Sequence, residues 1–406
     1  MSGLRRALRR RERPGAGEPL HVVVLLDSLE FLGGAETLAV DLAIGLDPSR
    51  FRRTLCLTHD QAPFRERPAQ AGVLRRLDEA GVEVLELARR SRFSVSPWIR
   101  LIRWLRSNRV DVVHAHKFGS NAWAVLCGWL GGVPAIVAHE HMWSYAEAGA
   151  LRRFVDRRWI AGGSDVLIAV SAEGRRQMIE VEGVSADEVI YVPNGVPAAE
   201  SGEAEDASDL FGLPAEAEVV GTVALLRPEK ELGLLVEAVA LLRPEHPAVH
   251  AVIVGEGPER ERLELLIAER GVEAAVHLVG YRDDVQKLLP SWEIAVCCSR
   301  FEGGPLSVME YMEASLPIVA TRVGGLPELL EDGRCGVLVE PGDPSALAEG
   351  IAALLSDPAR RGELGRNAFE RKRNVYSLAG WVRHMEALYE EVLAAAGAAS
   401  SDQTRS

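Results

Sequence analysis

Short apolar runs alternate with amphipathic stretches along most of the 406-residue chain. In the first half, runs rich in β-branched residues predict seven strands, at 21–26, 53–57, 82–87, 110–114, 134–138, 165–170 and 189–192. Between these runs, apolar residues recur at the spacing of amphipathic helices. In the stretch 96–108, for example, one face of the predicted helix contains Trp98, Leu101, Ile102 and Leu105. Continuous apolar strands separated by helices are typical of a parallel sheet covered on both faces.

The alternation stops at residues 198–217, which are acidic, small and poor in apolar side chains, and which we interpret as a linker. It then restarts, and six further strands are predicted at 218–225, 248–255, 274–280, 293–299, 316–321 and 336–340. The sequence therefore predicts an α/β protein of two doubly wound Rossmann-like domains, 20–197 and 218–375, facing each other across a cleft. A closing helix at 376–397 follows the second sheet, and the pattern allows it to pack on either domain.

Charge and composition narrow the classes of partner. A formal net charge of −13 argues against nucleic acid, because phosphate contacts need a basic surface. No apolar run approaches the roughly 18 residues of a membrane span, and no apolar core follows the arginines of the arm 1–19, so a cytoplasmic protein without a signal peptide is expected. The arm 1–19 is interpreted as a disordered, solvated tail; the alternative is peripheral contact with anionic lipid at the inner face of the membrane. The five cysteines form no CxxC pair, and neither a metal nor a cofactor is expected.

Glycine-rich turns after strands are where a doubly wound sheet binds ligands. Gly33 and Gly34 open a helix after the first strand, which lets backbone amides approach an anion; the alternative is a plain tight turn. The stretch 254–266 imitates a dinucleotide fingerprint, but Arg260 stands where the third glycine belongs, so NAD binding is not expected.

A more specific constellation lies at 299–321, with the sequence SRFEGGPLSVMEYMEASLPIVAT. Pro305 suits the first helical position, which leaves the amides around Gly304, Leu306 and Ser307 directed at an anion. Glu302 precedes this helix start and Glu310 lies about one and a half turns into the helix. A carboxylate would repel an anion bound beside it unless a neutral group rich in hydroxyls lay between the two, as the sugar does in a sugar nucleotide. The alternative interpretation is that both glutamates are simply exposed to solvent.

These residues resemble the retaining glycosyltransferases of family 4, also called group 1, which have the GT-B fold. The segment 302–351 is similar to the family's Glu-x7-Glu motif with the glycine turn and hairpin that follow it, and the resemblance extends over roughly residues 20–395. Shorter matching segments lie at 33–36, 111–116, 138–143, 192–196, 227–230, 254–260 and 279–284.

The resemblance implies a role for each matching residue. Glu302 would hold hydroxyl groups of the transferred hexose, Glu310 the nucleotide ribose, and Lys230 the charge of the leaving diphosphate. The nucleotide base would lie against the backbone near Tyr281 and Arg282. The implied donor-binding set is Gly33, Gly34, Arg227, Lys230, Tyr281, Arg282, Glu302, Gly303, Gly304, Pro305, Leu306, Ser307 and Glu310.

Histidines are concentrated at positions 114, 116, 139 and 141, all at predicted carboxyl ends of strands. This crowding favours a role in the cleft over four ordinary polar groups at strand ends. By resemblance, His141, or alternatively His139, matches the family's active-site histidine, and His116 would lie in the acceptor cleft. The implied catalytic set is His141, Lys230 and Glu302.

The sequence departs from the family's pattern at two positions. Leu225 stands where family members usually carry an arginine that shares the diphosphate charge, and Glu231 replaces the glycine usual after the lysine. Losing one charge-assisted contact costs roughly 1.5–3 kcal/mol, unless Arg227 reaches the diphosphate instead. The departures leave a catalytically inactive partner subunit open as an alternative to an enzyme.

The predicted activity is the transfer of a hexose from a nucleotide diphosphate sugar to an acceptor hydroxyl group of a glycan, a lipid-linked glycan or a small molecule. Nowhere in the chain are two aspartates separated by one residue, so the Asp-x-Asp metal clasp of the other major glycosyltransferase fold is absent and a metal-independent route is expected. Retention of anomeric configuration is implied by the resemblance alone. A sugar-nucleotide epimerase, which shares the two-domain architecture, is a further alternative.

Overall fold

The computed structural model describes residues 18–91, 94–141, 149–199 and 211–403. They form two compact units: unit 1 contains the described residues up to Pro193 and those from Leu378 onward, and unit 2 contains those of Asn194–Ser377. Residues 1–17 of the predicted basic arm and 200–210 of the predicted linker lie outside the described residues, and so do Met142 and Trp143 of the segment 138–143.

Unit 1 is built on one seven-stranded parallel sheet. Its strands are β1 (Leu20–Leu26), β2 (Phe51–His59), β3 (Glu83–Arg89), β4 (Val112–His116), β5 (Ala135–Glu140), β6 (Val166–Ala169) and β7 (Val189–Tyr191). They lie in the order β3-β2-β1-β4-β5-β6-β7. Successive strands are therefore added on one side of β1 up to β3 and on its other side from β4 onward. We call the place between β1 and β4, which are hydrogen-bonded neighbours, the reversal point of the sheet.

Helices connect these strands. They are α1 (Gly34–Gly45), α2 (Pro68–Glu79), α3 (Ser96–Ser107), α4 (Phe118–Gly131), α5 (Ala150–Phe154), which continues into a π-helix at Val155–Ala161, and α6 (Ala172–Glu180). The predicted face of α3 packs into the core, where Trp98, Leu101 and Leu105 are buried.

Unit 2 contains a six-stranded parallel sheet. Its strands are β8 (Glu218–Val223), β9 (Val249–Val254), β10 (Val276–Gly280), β11 (Ile294–Cys297), β12 (Ile318–Thr321) and β13 (Val337–Val339). The order is β10-β9-β8-β11-β12-β13, so the reversal falls between β8 and β11.

The helices of unit 2 are α7 (Gly233–Leu242), α8 (Arg260–Arg270), α9 (Val285–Leu288), α10 (Leu306–Glu313), α11 (Leu326–Leu329), α12 (Pro344–Leu355) and α13 (Pro358–Val375). Short 3₁₀ turns lie at Pro228–Lys230, Leu289–Ser291 and Glu331–Gly333. One apolar core joins α7, α8 and α12 to the sheet.

All thirteen predicted strands are confirmed, with ends within two residues of the prediction. The signal was strong because parallel strands bury both faces: six of the seven residues of β1 are buried, and all six of β9.

The last helix, α14 (Leu378–Gln403), belongs to unit 1. Its Glu386 accepts a hydrogen bond from the backbone N–H of Asp47 at 2.9 Å and pairs with Arg50 at 2.8 Å. Its Tyr389 is fully buried and contacts the ring of Phe51. The sequence pattern allowed this helix to pack on either domain. Its side-chain contacts with unit 1, which helical periodicity does not encode, decide the choice.

Unit 2 begins earlier than the predicted linker. Its first residue is Asn194, whereas the prediction ended the first domain at 197. The reason is local bonding: Val196 pairs with Ser377, and the Asn194 side-chain amide donates to the Gly304 carbonyl at 2.8 Å. The motif VPNGV thus belongs structurally to unit 2 from its asparagine onward.

Candidate functional site

The carboxyl ends of β8 and β11 carry two oppositely charged side chains at the reversal point of unit 2. Lys230 ends the 3₁₀ turn that follows β8, and Glu302 lies in the loop after β11. Their Nζ and Oε1 atoms are 2.5 Å apart. Ser299 also donates its hydroxyl to Oε1 of Glu302, at 2.6 Å. In an open parallel sheet this is where ligands bind, so two predicted site residues meet where the topology requires.

Lys230 is held in its charged form by this pair. Burial acts to lower the pKa of Lys230, but the opposing charge of Glu302, with smaller contributions from other neighbours, raises the pKa above its ordinary value. The two side chains are 20% and 6% exposed, so little water screens them. The site is therefore neutral as a pair but holds a cation and an anion, each able to bind a group of opposite polarity.

Helix α10 begins beside Glu302. Pro305 is the N-cap residue, not the first helical residue as predicted, because its ψ of 119° is extended and the helical backbone starts at Leu306. In the described part of the chain no side chain caps this helix start. The first N–H groups of a helix, here those from Leu306 through Ser307, have no intrahelical acceptor and attract an anion.

The loop before α10 is shaped by residues that lie outside the predicted site set. A Cβ atom on Gly324, which has a φ of +51°, would lie 1.8 Å from the Glu302 carbonyl oxygen, so only glycine fits. The next residue, Gly325, donates its N–H to that same carbonyl at 3.1 Å. Thr321 donates its hydroxyl to the Ser299 carbonyl at 2.6 Å. The adjacent glycines of VGGLPE were the available signal for this support.

Among the other predicted donor-binding residues of unit 2, the two arginines have charged partners of their own. Arg227 lies 3.9 Å from Glu229. Arg282 forms two hydrogen bonds to Asp284, at 2.7 and 2.6 Å, whereas Tyr281 after β10 is exposed. Glu310 lies on α10, and Gly303 and Gly304 lie in the loop before it. Their roles in binding stay predictions.

Glu231 adopts the left-handed conformation, with φ +45° and ψ 40°. This explains why a glycine at this position suits the turn: only glycine takes that conformation without steric strain. Leu225 is half-buried two residues after β8. Glu231 therefore keeps the shape of the turn, whereas Leu225 removes a cation.

Unit 1 brings four histidines together at the carboxyl ends of β4 and β5. His114, His116 and His139 are fully buried, and His141, just after β5, is half-buried. Their rings form a stack with neighbouring centroids 4.3–5.1 Å apart from His114 through His116 and His141 to His139. Alternate residues of adjacent strands share one face of a sheet, which is why the spacing HxH on both strands produces a cluster.

Two hydrogen-bonded groups make up this cluster. Nδ1 of His116 is 2.8 Å from Nε2 of His141. Nε2 of His114 is 3.2 Å from Nδ1 of His139, and Nδ1 of His114 is 2.6 Å from the hydroxyl of Tyr389. The remaining ring nitrogens of His116 and His139, both Nε2, are buried without a hydrogen-bond partner among the described residues.

Burial lowers the pKa of every histidine in the cluster, and mutual repulsion adds to it for His114, His116 and His141. For His139 burial alone lowers the pKa from 6.5 to about 3. The four imidazoles are therefore neutral at pH 7, and each carries one ring proton.

Three of these histidines, His114, His116 and His139, place ring nitrogens within 4.8 Å of one another and form a candidate set of metal ligands. Their ring planes, however, are within 15–32° of parallel. Imidazole lone pairs lie in the ring plane, so near-parallel rings do not direct them to one point about 2.0–2.1 Å from each nitrogen, as zinc requires. The absence of a bound metal stays a prediction.

Gly33 and Gly34 begin α1 as predicted, with Gly33 as the N-cap residue. Glu36, in the first turn, forms an ion pair with Lys117, which follows β4. Lys117 has a φ of +71°, a conformation that residues other than glycine rarely adopt. The reversal point of unit 1, between β1 and β4, thus also carries a lysine–glutamate pair.

The opposite face of β5 buries carboxyl groups. Burial raises the pKa of Glu140 from 4.5 to about 8, with a further rise from the charge of Asp156. Asp156 lies on the π-helix, and burial raises its pKa to about 6, opposed by Arg152. Glu140 is therefore a neutral carboxylic acid at pH 7.

Two sequence families match the chain. Residues 203–371 match the family described as glycosyl transferases group 1, and residues 32–200 match glycosyltransferase family 4. The two matched segments together include Gly33, the histidine cluster, Lys230 and Glu302.

Individual relatives match over shorter spans. The D-inositol 3-phosphate glycosyltransferase of Acidothermus cellulolyticus is 31% identical over 281 residues, 64% of this chain and 62% of that protein. The glycogen synthase of Mycobacterium tuberculosis is 32% identical over 276 residues, 66% of this chain and 65% of that protein. The chain thus spans less than two thirds of the length of these two relatives.

A solved structure extends the likeness to nearly the whole chain. HepE of Anabaena, crystallised in complex with UDP and glucose, has a TM-score of 0.79 at 20% identity and covers 92% of this chain and 100% of that one. At this identity the likeness concerns the fold, which is GT-B, as predicted. Within the described residues, no helix is long and apolar enough to cross a membrane.

Proposed function

Because the chain belongs to the group 1, or family 4, glycosyltransferases, we propose that it transfers a hexose from a nucleotide diphosphate sugar to an acceptor hydroxyl group with retention of configuration. One observation carries the proposal: the Lys230–Glu302 pair beside an uncapped helix start at the reversal point of unit 2. Its cation and helix N–H groups suit a diphosphate, and its carboxylate suits sugar hydroxyl groups.

The pair implies an exchange of partners on binding. The diphosphate takes the place of Glu302 as the counter-charge of Lys230, and Glu302 accepts hydrogen bonds from hexose hydroxyls while keeping that of Ser299. Glu310, Tyr281 and Arg282 would hold the nucleoside part. Because HepE of Anabaena was crystallised with UDP and glucose, a UDP-sugar is the first donor to test.

In the reaction the bond between the anomeric carbon and the phosphate oxygen breaks, and a bond to the acceptor oxygen forms on the same face of the sugar. The acceptor proton passes to the departing phosphate oxygen. Negative charge grows on the diphosphate as the bond lengthens, so Lys230 and the N–H groups at the start of α10 stabilise the transition state more than the ground state. These residues supply that charge without a metal ion.

The test is donor binding followed by turnover. UDP-glucose at a hundred times its dissociation constant should stabilise the protein by about 2.7 kcal/mol, seen as a rise in melting temperature, with GDP- and ADP-sugars as comparisons. Glu302→Gln and Lys230→Ala should each lower turnover about 100-fold or more. Unchanged turnover in both variants with the correct donor would exclude the proposed site.

A catalytically inactive partner subunit is the second candidate, because Leu225 removes a cation that the family usually supplies. It predicts donor binding without hydrolysis or transfer. Leu225→Arg distinguishes the two: in an enzyme the added cation should tighten donor binding about tenfold and preserve transfer, whereas an inactive subunit should stay inactive. Incubation with donor alone, followed by product analysis, detects an epimerase.

A further inference from the structure

The hydrogen bond between His116 and His141 has a direction that the geometry decides. Only one of the two facing nitrogens, Nδ1 of His116 and Nε2 of His141, carries the shared proton. If His141 donates, the proton of His116 lies on its Nε2, which is fully buried and lacks an acceptor among the described residues. If His116 donates, only a lone pair is left unpaired there.

The second arrangement is the more stable one. Orphaned N–H groups are rarer in protein interiors than acceptors with an unused lone pair. The argument requires His116 to be neutral, and burial together with the neighbouring histidines and Lys117 lowers the pKa of His116 well below its ordinary value. His116 therefore donates from Nδ1, and His141 accepts at Nε2.

We propose that His116 is a positioning residue that fixes His141 as the tautomer with its proton on Nδ1. His141 then offers a hydrogen-bond donor, not a proton acceptor, at the carboxyl end of β5. This inference rests on the proposed function for its consequence, but the tautomer itself is a property of the protein without any substrate.

The consequence concerns the path of the acceptor proton. An imidazole whose Nδ1 carries a proton cannot act at that nitrogen as a general base. His141 instead offers its N–H to a hydroxyl oxygen of the acceptor, which helps hold the acceptor in a reactive orientation. The acceptor proton is left to the departing phosphate oxygen, in agreement with same-face attack. His116 thus selects the role of His141 without touching the substrate.

The tautomer can be measured directly by nitrogen NMR of the full chain labelled with ¹⁵N-histidine. The His141 signals are assigned by their loss in His141→Gln. In the unsubstituted protein at pH 7, Nδ1 of His141 should bear the proton and Nε2 should not. His116→Asp places an acceptor near Nε2 of His141 and should move the proton to that nitrogen.

His139→Gln is the matched control. His139 is another buried imidazole that stacks on His141, with ring centroids 4.3 Å apart, but it makes no hydrogen bond to His141. Its removal should therefore leave the tautomer of His141 unchanged.

Turnover adds a second readout. His116→Asp should lower kcat about 100-fold with a small change in the donor KM, because a transition-state donor is lost and the donor-binding residues of unit 2 remain. A proton on Nε2 of His141 in the unsubstituted protein overturns the proposal, as does stoichiometric Zn²⁺ or Co²⁺ bound by His114, His116 and His139. If the tautomer is as expected but no donor is turned over, the proposed function fails and the positioning role of His116 in transfer falls with it.

Discussion

The reversal points of the two units carry the same pair of residue types on exchanged strands. In unit 1, Glu36 follows β1 and Lys117 follows β4, whereas in unit 2, Lys230 follows β8 and Glu302 follows β11. Both sheets reverse beside their first strand, so both bring the two following loops together. The topology provides an ion pair twice, and the surroundings decide what each can bind.

Those surroundings differ in how they accommodate buried polar groups. Unit 2 keeps charge: Lys230 and Glu302 stay ionised as partners beside a helix start, which suits an anionic ligand. Unit 1 keeps neutrality: burial lowers the pKa of His139 to about 3 and raises the pKa of Glu140 to about 8. Burial therefore neutralises single ionisable groups in unit 1, whereas in unit 2 it encloses a lysine and a glutamate that compensate each other.

The largest expected effect tests the buried ion pair of unit 2. Lys230→Met leaves Glu302 nearly buried without its cation and should lower the free energy of unfolding of unit 2 by about 3–5 kcal/mol. The double variant Lys230→Met/Glu302→Gln should recover part of that loss, because no unpaired charge remains. Calorimetric unfolding measures both.

Lys117→Met is the matched control in unit 1. The Lys117 side chain is 43% exposed, compared with 20% for Lys230, so water replaces the lost partner better and the loss should be about 1–2 kcal/mol. Glu36 is nearly as buried as Glu302, at 9% and 6% exposure, so equal losses in the two units would show that burial of the glutamate, and not of the lysine, sets the cost.

The next effect tests whether the buried carboxyl group of Glu140 in unit 1 is neutral, by raising the pH. The pKa of Glu140 is about 8 in the folded protein and 4.5 ordinarily, so the folded state holds a proton that the unfolded state releases. The contribution of Glu140 to stability therefore falls as pH rises from about 4.5 to 8. Glu140→Gln should remove this fall and stabilise the protein at pH 7 by roughly 3 kcal/mol.

Urea unfolding of both proteins between pH 5 and pH 8 provides the measurement. Glu269→Gln serves as the comparison, because it repeats the same chemical change at a carboxylate whose side chain is 69% exposed. Parallel curves for Glu140→Gln and the unsubstituted protein would show that the carboxyl is not buried in its neutral form.

A smaller effect tests the neutral side at low pH. The pKa of His139 is about 3 in the folded protein and 6.5 ordinarily, so the unfolded state binds a proton that the folded state refuses. Stability is lost as pH falls below about 6.5, by about 2 kcal/mol at pH 5 for this residue. His139→Gln should lose less stability between pH 7 and pH 5, whatever its stability at pH 7. The exposed His384 offers a control substitution, His384→Gln.

The smallest effect concerns a turn that sets the position of Lys230. Glu231 has a φ of +45°, so Glu231→Gly should relieve strain and raise the free energy of unfolding by up to about 1 kcal/mol. Glu231→Ala keeps the Cβ atom and should give no such gain. A loss of stability in the glycine variant would indicate that the Glu231 side chain makes a stabilising contribution larger than the strain.

Much of this protein was determined by its sequence because the relevant signals are local. Apolar runs identify the central strands, since these bury both faces, whereas the edge strand β3 is interrupted by glutamate and only partly buried. Glycines with a proline before an apolar helix mark the start of α10 to within one residue. The HxH spacing on two strands likewise predicted that the histidines would crowd at the carboxyl ends.

Tertiary structure alone decided which of these groups meet and in what state of charge. Lys230 and Glu302 are separated by 71 intervening positions and pair only because β8 and β11 are neighbours. Gly324 supports Glu302 through backbone contact, and α14 returns to unit 1 through Glu386 and Tyr389. Periodicity records which residues are buried but not what they are buried against, and the charge of a buried group depends on its neighbours.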